Sequence, residues 1–156
     1  CGCAMSLQRT NFLFVQIPRV NALLVLDGDG KRIAAKYHGD KYASVEQQAD
    51  FEKKIFSKTK NSQARSEADI VLLNKQIVVH LFATDIYLYA AASQVENELI
   101  LAGVLNAFHE TLDTMLRGQI DRRSIMENLE IVLMTMDELV DDGIIMEIDS
   151  SGAYIW

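Results

Sequence analysis

The chain of 156 residues has its two cysteines near its start, at Cys1 and Cys3. A metal site built on Cys-x-Cys needs further ligands, and no histidine lies close enough in sequence to supply one. The rest of the chain contains no cysteine, so the pair cannot form a disulfide framework for the domain. This use of cysteine favours an intracellular protein without a metal centre.

A second group with potential chemistry is the run Asp27-Gly28-Asp29-Gly30, whose carboxylates suggest a calcium loop. An EF-hand also needs an oxygen ligand near Lys31 and a glutamate at the twelfth position, which here is His38. Because both are absent, the run is predicted to be a hairpin turn. The sequence also contains neither the dinucleotide-binding nor the P-loop glycine pattern that would bind phosphate.

The other candidates for chemistry are three histidines and two acidic pairs. His38, His80 and His109 have no metal-ligand spacing to one another, and structural or surface roles are favoured, although His80 could face a partner. Asp137-Glu138 and Asp141-Asp142 follow one helical segment without a nucleophile nearby, so a solvated or partner-facing surface is favoured over acid–base catalysis. We therefore predict a protein that is not an enzyme and uses no cofactor or metal.

Composition limits the class of protein. The chain is 49% hydrophobic and 24% charged, with a net charge of -7, which is typical of one folded domain and argues against a nucleic-acid binder. No apolar run is long enough to span a bilayer. Charge is uneven: residues 1–65 hold 11 basic and 6 acidic side chains, whereas residues 66–156 hold 4 and 16. The net charge therefore conceals a basic first part and an acidic second part of the chain.

Five strands and three helices are predicted to carry these groups. Val20–Leu26 and Lys31–Tyr37 form a hairpin, and its first strand is apolar on both faces, as expected inside a sheet. Strict alternation gives the second strand two faces, one with Ile33, Ala35 and Tyr37 and the other with Arg32 and Lys36. The other strands are Ile70–Leu73, Ile77–Ala83 and Ile86–Ala92, whose short connectors force antiparallel pairing and an α+β fold.

All three helices are predicted to start with a capping box. The first starts at Ser44, runs to about Lys60 and is followed by a polar loop from Asn61 to Glu67. The second, Glu96–Arg117, starts after Ser93 and stops at Gly118; the third, Ile125–Asp141, starts after Ser124 and stops at Gly143. The first helix is expected to bury Val45, Ala49, Ile55 and Phe56. The third is expected to bury Ile125, Leu129, Val132, Met136, Leu139 and Val140.

The last two helices carry more apolar residues than one buried face requires. Met134 lies opposite Ile125 on the helical wheel with Ile131 beside it, and Leu99 and Ile100 widen the apolar surface of the preceding helix. Either the two helices cover each other or a partner covers them, and both alternatives stay open at this stage.

Several segments resemble the zeta subunits of coatomer. They are FEKKIFSKT (Phe51–Thr59), ENELILAGVLNAFHETLDTMLR (Glu96–Arg117) and ENLEIVLMTMDELVDDGIIMEID (Glu127–Asp149). The hairpin sequence VNALLVLDGDGKRIAAKY belongs to the same resemblance. The last segment is also similar to the sigma subunits of clathrin adaptors, whereas the Phe-Glu-Lys and Phe-Ser-Lys-Thr pieces favour zeta. The resemblance implies a longin-like domain, with a five-stranded antiparallel sheet flanked by helices.

The same resemblance implies a non-enzymatic coat subunit that pairs directly with the large gamma subunit of coatomer. Through that pair it would contact the rest of the coatomer and, indirectly, a small Arf-type GTPase. We then expect a cytoplasmic protein that is peripheral on Golgi membranes and coated vesicles, acts in Golgi-to-ER and intra-Golgi transport, and binds no nucleic acid. The alternatives are a sigma-type clathrin adaptor subunit and a module that binds cargo sorting signals.

The gamma subunit would bury the extra apolar residues of the last two helices. The residues expected to contact it are therefore on these helices. The domain is expected to span residues 20–149, after a leading segment at 1–19. Residues 150–156 are expected to be a short remainder, in place of the helical tail into which the family usually continues. The residues expected to bind the partner are Leu99, Ile100, Ile131, Met134, Asp137 and Glu138.

Overall fold

The computed structural model describes residues 19–61, 68–141 and 143–145. An antiparallel sheet of five strands, in the spatial order β2-β1-β5-β4-β3, has one helix on one face and three on the other. This confirms the predicted α+β class. The strands are β1 (Ala22–Asp27), β2 (Arg32–Tyr37), β3 (Asp69–Leu73), β4 (Gln76–Ala83) and β5 (Ile86–Ser93). The helices are α1 (Val45–Thr59), α2 (Glu98–Met115), α3 (Arg122–Glu127) and α4 (Leu129–Leu139), and a pair of two-residue strands follows, β6 (Val140–Asp141) and β7 (Ile144–Ile145).

The sheet separates two hydrophobic cores because successive strand residues point to opposite faces. In β1, Leu23 and Val25 join the larger core under α2, α3 and α4, whereas Leu24 and Leu26 join the smaller core under α1. All six residues of β1 are buried, as its two-sided apolar sequence predicts. β5 is the middle strand of the five.

The turn between β1 and β2 confirms the hairpin. Asp27 Oδ1 accepts hydrogen bonds from the N–H groups of Asp29 and Lys31, both at 2.9 Å, so this carboxylate holds the turn. Gly30 adopts a positive φ of 82°, and a Cβ built there would lie 2.6 Å from the Phe56 ring. Only glycine fits the turn beneath α1.

A β-bulge overturns the predicted faces of β2. The register shifts between Val25 and Leu26, so Val25 pairs with Ala34 but Leu26 pairs with Arg32. The extra residue, Ile33, packs against the larger core, and Arg32 moves to the α1 side. Arg32 and Lys36 therefore lie on opposite faces, because strict alternation fails at a bulge.

Two of the three predicted helix starts are wrong. In α1 the Ser44 box is confirmed, since Ser44 Oγ accepts from the Gln47 N–H at 3.1 Å and the Gln47 side chain accepts from the Ser44 N–H at 3.2 Å. Ser93 instead ends β5, and Asn97 caps α2 by accepting from the Leu99 N–H at 2.8 Å. Several capping residues compete near a helix start, and the strand pairing of Ser93 decides this one.

The third predicted helix is two helices. Asp121 caps α3 by accepting from the Ser124 N–H at 2.7 Å, three residues before the predicted start. Asn128 has φ -122° and ψ 35°, which interrupts the helix between α3 and α4. The predicted buried stripe is nevertheless confirmed, because Ile125, Val132 and Met136 are completely buried. The remaining stripe residues, Leu129, Leu139 and Val140, are buried or packed against the same core.

The predicted buried face of α1 is partly wrong. Val45 and Ala49 are exposed, whereas Phe51 and Ile55 lie in the core and Phe56 packs against its border. The prediction selected apolar residue types without requiring that they share one helical face. The face that is buried against the sheet contains Phe51, Ile55 and Thr59, which are spaced four residues apart.

Some predictions fall outside the described residues. They are the leading segment through Pro18, the loop after Asn61 to Glu67 and the short remainder at 150–156. The proposed domain boundaries at 20 and 149 therefore stay predictions. Within the described ranges, no helix is long and apolar enough to cross a membrane.

A candidate partner-docking face

Helices α2 and α4 pack on the same face of the sheet and against each other. α2 contacts β4 and β5, whereas α4 contacts β2. Leu105 and Phe108 of α2 and Val132 and Met136 of α4 are completely buried in one core. Much of the apolar surface of the two helices is therefore explained by their own packing, and only the residues left exposed are available to a partner.

The start of α2 and the end of α4 lie at the same end of the sheet. β5 leads into α2, and the end of β5 pairs with the start of β1 through Ala91 and Ala22. The chain just after α4 returns to this point, since the Val20 N–H donates to the Gly143 carbonyl at 2.7 Å. We call α2, α3 and α4 the helical layer. Leu99 and Ile100 of α2 thus lie at the same end of this layer as Asp137 and Glu138 of α4.

The six predicted residues differ in exposure. Leu99 is 76% exposed and Met134 is 61% exposed, so both are available to a partner. Ile100 and Ile131 are half-buried, and Ile100 packs against the larger core. Asp137 and Glu138, the last two, are exposed. We define the docking face as Leu99, Ile100, Ile131, Met134, Asp137 and Glu138.

An ion pair within the chain accounts for one of the two acids. Lys36 Nζ of β2 lies 3.2 Å from Asp137 Oδ1. Asp137 lies near the C-terminal end of α4, where the helix dipole disfavours negative charge, and Lys36 offsets this cost. Within the described ranges, Glu138 makes no ion pair.

Other exposed apolar residues were missed by the sequence reasoning. Ile70 and Leu72 on β3 are uncovered on the α2 side of the sheet, because α2 lies over β4 and β5. The sequence does contain a sign of this exposure. The short segment Asp69–Leu73 is apolar at nearly every position, although the strand is paired on one side only within the described residues. The others are Val95, Met115 and Met126.

The opposite face is held by a polar network. Glu52 of α1 is buried and accepts hydrogen bonds from the Arg32 guanidinium and, at 2.7 Å, from the Tyr37 hydroxyl. Gln48 adds an acceptor for Arg32 Nη2 at 3.1 Å. The hydrogen bond to Glu52 raises the pKa of Arg32, and burial raises the pKa of Tyr37, so the cation and the neutral phenol are both favoured. The network fixes α1 against β2.

His80 is part of this face and does not reach solvent. Its side chain is buried on the α1 side of β4, with the ring centroid 6.1 Å from that of Tyr89 and Nε2 3.8 Å from Asp69 Oδ2. The partner-facing role that alternation left open is therefore wrong. Burial lowers the pKa of His80, and the Asp69 carboxylate opposes part of the shift.

This environment predicts a pH dependence of stability. Because the folded pKa of His80 lies below the usual value of about 6.5, the unfolded chain binds the proton first, and the free energy of unfolding should fall as pH drops below that value. In His80→Phe we expect this fall to be smaller between about pH 7 and pH 5.5, measured as urea midpoints. Equal slopes in the two proteins would show that His80 contributes nothing to the pH dependence.

The docking face is a surface of apolar and acidic side chains. Across the described ranges, no group of three or more histidine, cysteine, aspartate or glutamate residues could hold a metal ion. Exposed Leu99 and Met134, together with exposed Asp137 and Glu138, can take part in binding a protein.

Comparisons with known proteins identify a family. The family described as clathrin adaptor complex small chain matches residues 19–153. Coatomer subunit zeta-3 from Oryza sativa subsp. japonica is 43% identical over 133 residues, which cover 85% of this chain and 75% of that protein. Human coatomer subunit zeta-1 is 44% identical over 130 residues, covering 83% and 71%. These similarities confirm the resemblance inferred from the sequence segments.

A structural comparison supports the fold. A chain in a homology model of the full-length AP-3 complex in a stretched open conformation superposes with a TM-score of 0.59 at 14% identity. The match covers 83% of this chain and 86% of the other. At this identity the similarity concerns the arrangement of strands and helices alone.

Proposed function

Because the chain belongs to the clathrin adaptor complex small chain family, we propose that it is the small subunit of a coatomer vesicle coat and is held by the large gamma subunit. It is a homologue of coatomer zeta subunits over most of its length. Members of this family are coat subunits, so family membership confirms the prediction that the chain is not an enzyme.

The observation that carries the proposed pairing is the docking face. Leu99 and Met134 remain exposed although α2 and α4 cover each other and the sheet. Large apolar side chains exposed on two packed helices support a protein partner, because the buried centre of an interface is more apolar than the rest of a protein surface. The proposed action is therefore structural: the chain is held in the coat at this face and reaches Golgi membranes and coated vesicles through the complex.

Co-expression with the coatomer gamma subunit tests this proposal. We expect the two chains to co-purify through gel filtration as one complex. A well-folded monomer that never binds gamma would contradict the proposal. Selective co-purification with a clathrin adaptor large subunit would indicate a sigma-type role, and direct binding of a dileucine or dilysine peptide by the isolated chain would indicate a sorting-signal module.

A further inference from the structure

The charges around the docking face are not balanced within the described ranges. Glu98 opens α2, while Glu138 and Asp141 stand at the end of α4; all three are exposed and without an ion pair there. The basic residues between Glu98 and Asp141 are Arg117, Arg122 and Arg123, and they lie at the other end, where Arg122 contacts Asp27 and Arg123 contacts Glu127. At the end where α2 starts and α4 ends, Arg19 lies beside Glu96 and Lys36 pairs with Asp137, so Glu98, Glu138 and Asp141 are the carboxylates there without an ion pair in the described ranges.

The helix dipole adds to this negative potential. The C-terminal end of α4 carries partial negative charge, and Glu138 lies in its last turn. Lys36 offsets the cost of Asp137 only. A cation supplied from outside would be stabilised by Glu138, by Asp141 and by the α4 carbonyls together.

The apolar part of the face has room for a closely approaching element. Gly103 lies one turn after Leu99 in the middle of α2, and a Cβ built on it would meet nothing within 4 Å. Glycine at a helix-interior position costs about 1 kcal/mol relative to alanine. A backbone that comes close to α2 at this point would use the missing side chain.

From these observations we infer that the docking face binds a partner surface whose apolar centre is rimmed by lysine and arginine. The apolar centre would cover Leu99, Gly103 and Met134, and the basic rim would face Glu98, Glu138 and Asp141. This inference rests on the proposed function and specifies the chemistry of the surface that the gamma subunit presents.

Charge also distinguishes between occupants. A two-fold dimer of this chain through the docking face would bring the acidic residues of both copies into one interface, and like charges at an interface are unfavourable. An anionic membrane would be repelled for the same reason. A basic protein surface is the occupant that the charges favour.

A charge-reversal pair tests the inference on the complex with the coatomer gamma subunit. In Glu138→Lys/Asp141→Lys we expect binding about tenfold weaker than in the parent chain, mainly through slower association, with a weaker dependence of the association rate on salt. The control, Asp29→Lys/Glu127→Lys, makes the same change in net charge at the opposite end of the sheet and should bind like the parent. Surface plasmon resonance at low and high salt measures both.

Each outcome has a distinct meaning. If parent and double variant bind gamma with equal affinity and equal salt dependence, the basic rim is wrong although the proposed function stands. If the isolated chain forms dimers that Leu99→Asp disrupts, the occupant is a second copy and the inference is overturned. If the parent chain does not bind gamma at any salt concentration, the proposed function fails, and the inference fails with it.

Discussion

The Leu99→Asp variant is expected to keep the stability of the parent chain and to lose at least about 2 kcal/mol of binding free energy to the gamma subunit, which is roughly thirtyfold in affinity. Leu99 is 76% exposed, so folding buries little of it. It is also the second residue of α2, where a carboxylate is favourable to the helix dipole. In the complex, the same carboxylate would be desolvated against an apolar surface.

The chain offers a matched control for this prediction. Val45 is also 76% exposed and is the first residue of α1, on the other side of the sheet. Val45→Asp therefore makes the same kind of change at a helix start without touching the docking face. Melting temperatures and gel-filtration binding assays on both variants separate folding from assembly. Equal binding by Leu99→Asp and Val45→Asp would remove Leu99 from the interface.

The two predicted apolar positions of α4 behave differently in such a test. Met134 is 61% exposed, so we expect Met134→Asp to lower the affinity for the gamma subunit more than the free energy of unfolding. Ile131 is half-buried, and its replacement by aspartate lowers stability as well as binding. Leu99 and Met134 are therefore the informative positions.

The second large effect is expected from Glu52→Ala, which should lower the free energy of unfolding by about 2–3 kcal/mol. Glu52 is buried and accepts from both Arg32 and Tyr37, at 2.7 Å from the Tyr37 hydroxyl. Removing it leaves the Tyr37 phenol without its acceptor and leaves the Arg32 guanidinium with the Gln48 amide oxygen. Arg32 is partly exposed, so water recovers some of the loss.

An exposed pair on the same helix is the control. Lys54 Nζ lies 2.9 Å from Asp50 Oδ2, and both side chains are more than half exposed. Asp50→Ala should cost less than about 0.5 kcal/mol, as is usual for exposed helical pairs. Urea unfolding of the two variants measures the difference. If Glu52→Ala costs no more than Asp50→Ala, the network does not stabilise the contact of α1 with β2.

Strands and turns were the most predictable part of the fold. The hairpin about Asp27–Gly30 and the three strands from Ile70 onward follow from alternation and from connectors too short for any other pairing. The Ser44 capping box was predictable as well, because both of its hydrogen bonds lie within four residues. Local interactions decide these features, and local interactions are visible in a sequence.

Features that depend on neighbours were predicted less well. The bulge at Ile33, which places Arg32 on the α1 face, follows from the pairing of β1 with β2. The interruption at Asn128 separates α3 from α4 within a single apolar stripe. Val45 and Ala49 satisfied the residue types of a buried face but lie outside it.

The sequence by itself determined the order of the five sheet strands with α1 and α2 among them, the relation to coat subunits and the concentration of acidic residues after residue 65. Periodicity showed that α2 and α4 carry more apolar residues than one face needs. Only the tertiary structure decided which of them are covered: Ile100 packs on the core, whereas Leu99 and Met134 stay exposed. It also paired Asp137 with Lys36 and left Glu138 unpaired within the described ranges. The physical reason is that a helical repeat defines faces, while burial and ion pairing depend on distant segments brought together by folding.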